Sequence, residues 1–256
     1  MSFTVENLEF FALILVRISG FVFTAPFFNQ TNAPRKLKFA AALFMSVILF
    51  QTLPYEPLEY AGVIGYAILV LKEGIVGAMI GLMANICMYI LEFSGRMIDM
   101  EIGFAMVSVL DPATNLETSI TGTLYSNVVL LMLIVTDMHH YIIQAAVDSF
   151  RQVPLGEAVF QPDIYQIMVH FISDYFVIAF RIILPVFCCI LIVNVVLGIL
   201  AKVAPQMNMF VIGMQLKVLM GLAIMFLIAG LLSNVSGFIF EEMKKMMSMF
   251  LEAVRP

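Results

Sequence analysis

Long apolar runs separated by short polar connectors make up most of this chain. The runs cover residues 8–28, 37–53, 60–91, 122–136, 171–200 and 209–240. Runs of this length and composition favour α-helices that lie in a membrane. The pattern therefore predicts an all-α, membrane-associated fold.

The third run is too long for a single upright membrane span. As one helix, residues 60–91 would extend about 48 Å, whereas the hydrocarbon core of a bilayer is about 30 Å thick. Lys72, Glu73 and Gly74 lie inside this run. We therefore expect a break or a steep tilt of the helix near these three residues.

The stretch from Ser94 to Thr121 is the longest polar interruption, since it mixes Gly, Asp, Asn, Thr and Ser with apolar residues. A connection of this length is uncommon unless it is functional or disordered. The fourth run, by contrast, is expected to continue past Asp137 as an apolar helix up to Phe150. The sequence thus predicts one long irregular connection near the middle of the chain.

A simple six-span topology conflicts with the distribution of basic residues. Arg35, Lys36 and Lys38 place the connector at residues 29–38 on the cytoplasmic side by the positive-inside rule. Strict alternation through six spans would put the basic, amphipathic tail at residues 241–256 on the opposite side. The helices are therefore expected to depart from regular up-and-down spans.

Composition supports the membrane class and excludes one group of functions. The chain is 62% hydrophobic and 12% charged, whereas soluble domains average about 45–50% apolar and 25% charged residues. Its net charge of −5 is scattered and includes no basic block, so nucleic-acid binding has no support. Glu6 and Glu9 precede the first run, unlike the basic start of a cleaved signal peptide.

Five charged residues lie inside the apolar runs rather than at their ends. They are Arg17, Lys72, Glu73, Arg181 and Lys217. A charge at bilayer depth is costly, and such residues usually face a protein partner or a water-filled cavity. We therefore expect these side chains to meet other protein.

Gly74, Gly77 and Gly81 recur at three- and four-residue spacing in the third run. Small residues at this spacing let two helix backbones approach closely. From spacing alone, incidental membrane glycines explain the pattern equally well. Because Lys72 and Glu73 lie beside them, we favour a tight, partly polar helix contact.

Asp137, His139 and His140 form the group closest to a metal or catalytic cluster. Asp137 and His140 are three residues apart and share a face of a helix, but no third or fourth ligand has suitable spacing. Polar contacts at a helix end explain these residues better. No nucleophile or phosphate-binding motif stands out, so we expect no metal, no cofactor and no enzymatic activity.

Five short motifs in a fixed order resemble the FliR family of flagellar type III export proteins and its injectisome relatives. They are Pro26-Phe27-Phe28-Asn29 with Pro34-Arg35-Lys36-Leu37; Lys72-Glu73-Gly74 with Gly77; Gly95-Arg96-Met97-Ile98-Asp99 with Gly103 and Asp111-Pro112; Ser149-Phe150 with Val153-Pro154-Leu155-Gly156; and Ala204-Pro205-Gln206-Met207-Asn208 with Phe210, Gly213, Lys217 and Gly221. The resemblance covers essentially the whole chain. Glu101 departs from it, because the family pattern leads us to expect an uncharged amide there.

The resemblance implies a structural and gating subunit of the type III protein export gate. Such a chain joins FliP-like and FliQ-like subunits, with FlhB-like and FlhA-like proteins nearby, around a channel for unfolded flagellar polypeptides. It implies a place in the bacterial inner membrane and flagellar basal body. Part of the chain would then lie above the membrane plane on the periplasmic side.

The resemblance also divides the chain. It implies a FliP-like part over residues 1–162 and a FliQ-like helical hairpin with an amphipathic tail over residues 163–256, both made of broken helices. A plug loop at residues 104–118 would restrict leakage through the channel. The plug and gate residues implied are Gly103, Phe104, Met106, Val109, Leu110, Asp111 and Pro112. Gln206 joins the five charged residues as an expected inter-subunit contact.

Two alternatives to the export gate follow from the residues alone. Interrupted apolar segments and intramembrane charges are also typical of independent secondary transporters with broken transmembrane helices. The interruptions at Lys72-Glu73-Gly74 and Pro205-Gln206 are not obviously equivalent, which disfavours a transporter with two related halves. A membrane-embedded enzyme that uses Asp137 and His140 is the second alternative.

Overall fold

A computed structural model describes residues 4–28, 33–55, 57–58, 60–104, 119–160, 164–206 and 208–256. Within these ranges the regular structure is helical, which confirms the predicted all-α class. The helices are α1 (Val5–Thr24), α2 (Arg35–Thr52), α3 (Gly62–Ile102), α4 (Ile120–Val135), α5 (Met138–Gln152), α6 (Ile164–Val203), α7 (Met209–Ile228) and α8 (Leu232–Val254), with a 3₁₀ turn at Ala229–Leu231.

Four helices in the described ranges are long and apolar enough to cross a membrane. They are α1, α3, α6 and α7, and the number rises to five if α4 and α5 together make one bent span. The six apolar runs therefore reduce to four or five candidate spans. This count agrees with the expected departure from a six-span topology.

Of the two expected alternatives near Lys72, the break is wrong, because α3 is one continuous helix of 41 residues. A steep tilt of this helix in the membrane stays a prediction. The helix extends about 61 Å at 1.5 Å per residue. Each glycine inside a helix costs only about 1 kcal/mol relative to alanine, so Gly74 alone does not break it. The helix also continues through Ser94 to Ile102, a segment that the sequence analysis assigned to the long connection.

The helix expected to continue past Asp137 is interrupted there. α4 ends at Val135, α5 begins at Met138, and Asp137 between them has φ of 57°. Short polar residues such as Asp tolerate this left-handed conformation better than most residues with a side chain. The apolar residues on both sides of Asp137 had suggested one continuous helix.

The described residues fall into two compact units, neither of which is continuous in sequence. The first comprises Met1–Cys87, Thr136–Phe171 and Phe240–Pro256, and the second comprises Met88–Val135 and Ile172–Ile239. Each unit draws on both sides of the predicted boundary at residue 163. That boundary concerns resemblance to FliP and FliQ, and it stays a prediction.

The core of the first unit is built on the buried face of α1. Phe10, Leu13, Ile14, Ile18 and Phe21 are at most 3% exposed, and their spacing of three and four residues places them on one side of the helix. α1 packs against α2. The C-terminal half of α8 adds buried methionine and aromatic side chains to this unit.

The second unit carries an exposed apolar face. Along α6, Phe176, Phe180, Leu184, Phe187 and Leu191 are 40–51% exposed. Their three- and four-residue spacing aligns them in one stripe. A stripe of this kind suits contact with lipid or with another membrane subunit.

Candidate functional site

Two of the charges that interrupt the apolar runs meet inside the first unit. Arg17 Nε donates to Glu73 Oε2, and the two side chains are 1% and 0% exposed. Arg17 Nη1 also donates to the carbonyl oxygens of Ser149 at 3.1 Å and Val153 at 2.8 Å. Glu73 Oε1 accepts from the backbone N–H of Gly156 at 2.9 Å. This buried charge network therefore connects α1, α3 and the C-terminal end of α5.

The location of the network explains how Arg17 is stabilised. The last carbonyls of a helix lack intrahelical donors and carry partial negative charge, so a cation at this end is favourable. The ring of Phe150 lies 4.5 Å from the guanidinium carbon of Arg17 and adds a cation–π contact. Removing one partner of such a buried pair is costly because it leaves an uncompensated charge.

The network changes the interpretation of two predicted interface residues. Arg17 and Glu73 were expected to contact other subunits, but each has its countercharge within the chain. Their burial therefore needs no second chain as an explanation. Lys72 precedes Glu73 on α3 and is half-buried.

Gly77 and Gly81 lie where the backbones of α1 and α3 nearly touch. A Cβ atom added at Gly77 would lie 1.8 Å from the carbonyl oxygen of Arg17, and one at Gly81 would lie 2.1 Å from Thr24 Oγ1. Thr24 Oγ1 donates to the carbonyl oxygen of Ala78 at 3.0 Å. The two glycines thus allow α1 to approach α3 closely enough for the charge network to form.

Gly74 is less crowded than its two companions. A Cβ atom there would meet Val16 Cγ1 at 3.4 Å, an ordinary contact. On the facing helix, a Cβ atom at Gly20 would lie 2.8 Å from the carbonyl oxygen of Gly74. Gly20 is therefore part of the close approach, although the sequence analysis did not select it.

In the second unit, Asp99 joins the two helices that flank the predicted plug loop. Its carboxylate accepts from Ser119 Oγ at 2.6 Å, from the backbone N–H of Thr121 at 3.3 Å, and from Thr121 Oγ1. Asp99 lies near the end of α3, and Thr121 lies in the first turn of α4. Asp99 and Thr121 are 6% and 1% exposed.

The start of α4 is capped from two sides. Ser119 Oγ accepts from the backbone N–H of Gly122 at 2.7 Å, as an N-cap side chain does. The carboxylate of Asp99 adds negative charge at the same helix N-terminus, where it is favourable. Gly95 and Gly122 permit the close approach, since a Cβ atom at Gly95 would lie 2.1 Å from the Cα of Gly122.

Two predicted site residues, Gly103 and Lys217, line a cavity at the end of α3. The cavity measures about 340 Å³ and is also bordered by Glu101, the residue that departs from the family pattern. Gly103 has φ of +100°, a conformation that favours glycine. Phe104 is the last described residue before the loop. Five further predicted plug residues lie outside the described ranges: Met106, Val109, Leu110, Asp111 and Pro112.

The remaining predicted contacts lie at the surface. Arg181 on α6 is exposed, as is Gln206 between α6 and α7. The described residues provide no ion pair for Arg181. Arg181 is therefore a cation on an apolar helix with its side chain available to another molecule.

The first unit also contains an acidic and aromatic cluster that was not predicted from the sequence. Tyr60 Oη donates to Glu9 Oε2 at 2.6 Å, and Tyr66 Oη donates to the carbonyl oxygen of Glu9 at 3.1 Å. The bond to Glu9 raises the pKa of Tyr60 above its ordinary value, because ionisation would break that bond. The sequence signal for this cluster was the pair Glu6 and Glu9 at the start of the chain, together with Tyr60 and Tyr66 near the start of α3.

Comparison with known proteins identifies the family. The family model for bacterial export proteins, family 1, matches residues 8–243. The flagellar biosynthetic protein FliR of Bacillus subtilis (strain 168) is 30% identical, with 97% of this chain and 98% of that protein covered. FliR of Escherichia coli (strain K12) is 23% identical, over 92% and 89% of the two chains. FliR of Aquifex aeolicus (strain VF5) is 24% identical, over 98% of both. The chain therefore belongs to family 1 of the bacterial export proteins.

Proposed function

We propose that this chain is a structural and gating subunit of the type III protein export gate in the bacterial inner membrane. There it would help form the channel through which unfolded flagellar subunits leave the cell. The observation that carries this proposal is the similarity to flagellar biosynthetic proteins along nearly the full length of the chain. The four or five candidate spans support a place in the membrane.

The proposed partners are FliP-like and FliQ-like subunits, with FlhB-like and FlhA-like proteins associated with the same gate. Arg181, Gln206, Lys72 and Lys217 are proposed as polar contacts to these subunits. The exposed apolar stripe on α6 supports such contacts, because it offers a broad surface beside Arg181 on the same helix. Residues 1–162 are proposed to resemble FliP, and residues 163–256 to resemble a FliQ hairpin.

The gating element proposed is the loop at residues 104–118. Its two flanking helices are fastened to each other by Asp99, Ser119 and Thr121. This fastening supports a plug role, since a loop that seals a channel must be held at its base. Apolar side chains in a narrow channel exclude water and ions by dewetting.

The proposed role is not enzymatic. Part of the chain is proposed to lie above the membrane plane on the periplasmic side. The relatives named above are flagellar biosynthetic proteins, which gives the secondary-transporter alternative no support. Their printed names describe biosynthesis of the flagellum and mention no reaction. The embedded-enzyme alternative would require Asp137 and His140 for function.

Native mass spectrometry tests this proposal. The chain is purified alone and after co-expression with FliP-like and FliQ-like proteins from the same bacterium. The expected result is a discrete large assembly that contains one copy of this chain. A stable monomer or homodimer that ignores both partners would contradict the proposal.

A matched pair of variants sharpens the test. Arg181→Ala should lower the yield of the assembly at least tenfold, because it removes the cation that the proposed partner subunit would contact. Lys202→Ala removes another exposed cation from the same helix, in its last turn, and should leave the yield unchanged. Equal effects of the two variants would remove Arg181 from the proposed interface.

A further inference from the structure

Three potential metal ligands meet at the start of α5. Asp137, His139 and His140 each offer one ligand atom, and these atoms all lie within 4.8 Å of one another. His140 Nδ1 lies 3.5 Å from Asp137 Oδ1, and the two imidazole ring centres are 4.0 Å apart. This aspartate–histidine cluster lies wholly in the first unit and outside the buried charge network.

The structure changes the interpretation of this cluster. From the sequence, Asp137 and His140 were expected to share a face of a helix, with no third or fourth ligand at suitable spacing. Asp137 is not helical, because its φ is 57° and α5 begins only at Met138. The interruption of the helix brings all three side chains together.

His139 supplies an observation independent of the clustering. Its Nδ1 atom is buried and has no hydrogen-bond partner in the described structure. Buried polar atoms are nearly always paired, so an unpaired one calls for an explanation such as an ion or a water molecule. The edge-to-face contact with Phe27, at 6.5 Å between ring centres, restrains the ring in this position.

We propose that Asp137, His139 and His140 bind a divalent transition-metal ion of the zinc type. Two imidazoles and one carboxylate are an established ligand set for zinc, with water in the fourth position. Ligands at about 2.1 Å from a tetrahedral ion lie about 3.4 Å from each other, so the side chains must close in slightly. Asp137 and His140 are 77% and 69% exposed and can rotate to do so.

The binding test uses the whole chain in detergent, purified through a tag without histidine and stripped with a chelator. Zinc affinity is measured by competition with a chromophoric chelator, and Co²⁺ is added separately for its visible absorption spectrum. The expected result is one zinc ion per chain and a Co²⁺ spectrum typical of nitrogen and oxygen ligands in tetrahedral geometry. Binding of less than one zinc ion per chain would overturn the proposal.

Variants assign the site to its residues. His139→Ala and His140→Ala should each weaken zinc binding at least tenfold, and Asp137→Asn should do so while keeping a residue that tolerates positive φ. His170→Ala is the control, since His170 is the third histidine of the chain and lies outside the cluster. Unchanged affinity in the cluster variants, or an equal loss in His170→Ala, would overturn the proposal. Unfolding in excess chelator should be the same for all variants, which separates loss of metal from loss of fold.

Discussion

Arg17 on α1 and Glu73 on α3, 56 positions apart in sequence, form an ion pair that the first unit almost completely encloses. Both partners make further hydrogen bonds, to carbonyls at the end of α5 and to the N–H of Gly156. Charges at this depth are stable only together. The pair therefore fixes three separate segments of the chain in one arrangement.

Glu73→Gln should destabilise the protein by about 3–5 kcal/mol, since the variant leaves the buried guanidinium of Arg17 without a countercharge. Thermal unfolding in detergent, followed by circular dichroism because the chain has no tryptophan, measures the change. The double variant Arg17→Leu with Glu73→Leu should be less harmful than Glu73→Gln, because it removes both charges.

The exposed pair of Glu92 and Arg96 is the control for this prediction. Their side chains are 37% and 56% exposed and lie four residues apart on α3. Exposed pairs contribute about 0–1 kcal/mol. Glu92→Gln should therefore lower the free energy of unfolding by no more than about 1 kcal/mol. A Glu73→Gln variant as stable as Glu92→Gln would show that the enclosed pair is not a stabilising contact.

Gly77→Ala should disrupt the contact between α1 and α3, because the new methyl group would overlap the backbone carbonyl of Arg17, 1.8 Å away. A backbone atom cannot turn aside as a side chain can. We expect a loss of about 3 kcal/mol or more, at the upper end of overpacking effects. Thermal unfolding and the yield of folded protein measure it.

Gly74→Ala tests whether this effect is specific. Its methyl group would make an ordinary contact with Val16 at 3.4 Å, and alanine favours a helix over glycine by about 1 kcal/mol. The Gly74→Ala protein should therefore match or slightly exceed the original stability. Similar damage from Gly74→Ala and Gly77→Ala would contradict the packing described here.

The pattern of apolar residues predicted most of the helices, because each helix presents a long apolar surface. It did not predict the helix interruption at Asp137, and it wrongly suggested a break in α3 and an end of that helix before Ser94. At these places the polarity of neighbouring residues is a poor guide to where a helix ends. Lys72 and Glu73 did not break α3, since a buried charge can be satisfied by a distant partner such as Arg17 rather than by a change in the helix.

The candidate site was predictable only in part, because its contacts join residues that are far apart in the sequence. The sequence singled out Arg17 and Glu73 as unusual, but not that they pair with each other. Spacing selected Gly74, Gly77 and Gly81 alike, whereas only the facing atoms distinguish them. Asp99 lay within a recognised motif without a role, because its partners Ser119 and Thr121 are 20 and 22 residues further along.

Asp99→Ala should loosen the base of the proposed plug loop. The variant removes the acceptor for Ser119 and for the N–H and hydroxyl of Thr121, and leaves them buried. We expect a loss of about 1–3 kcal/mol and a higher ion conductance of the assembled gate. Thermal unfolding and planar-bilayer recording measure the two effects.

Glu101→Gln is the control for Asp99. It removes a nearby carboxylate that lines the adjacent cavity without capping α4. We expect unfolding of this variant to match the original protein. If Asp99→Ala changed neither stability nor conductance, the cap would have no part in holding the loop.

Deletion of residues 105–118 should raise ion leakage while leaving assembly intact. The flanking helices are linked through Asp99 and Ser119, so a short connection can replace the loop. Six Gly and Ser residues, which span about 13 Å on average, would join Phe104 to Ser119 in place of the loop. Native mass spectrometry should show the same assembly, and bilayer conductance should increase.

A second variant separates sealing by apolar side chains from simple obstruction by the loop. Replacement of Phe104, Met106, Val109 and Leu110 by serine keeps the length of the loop but removes its apolar surface. If dewetting closes the channel, this variant should leak nearly as much as the deletion. If the loop acts only by bulk, the serine variant should stay closed while the deletion leaks. Unchanged conductance in a correctly assembled deletion would remove the loop from the gate, because nothing would then distinguish it from an ordinary connection.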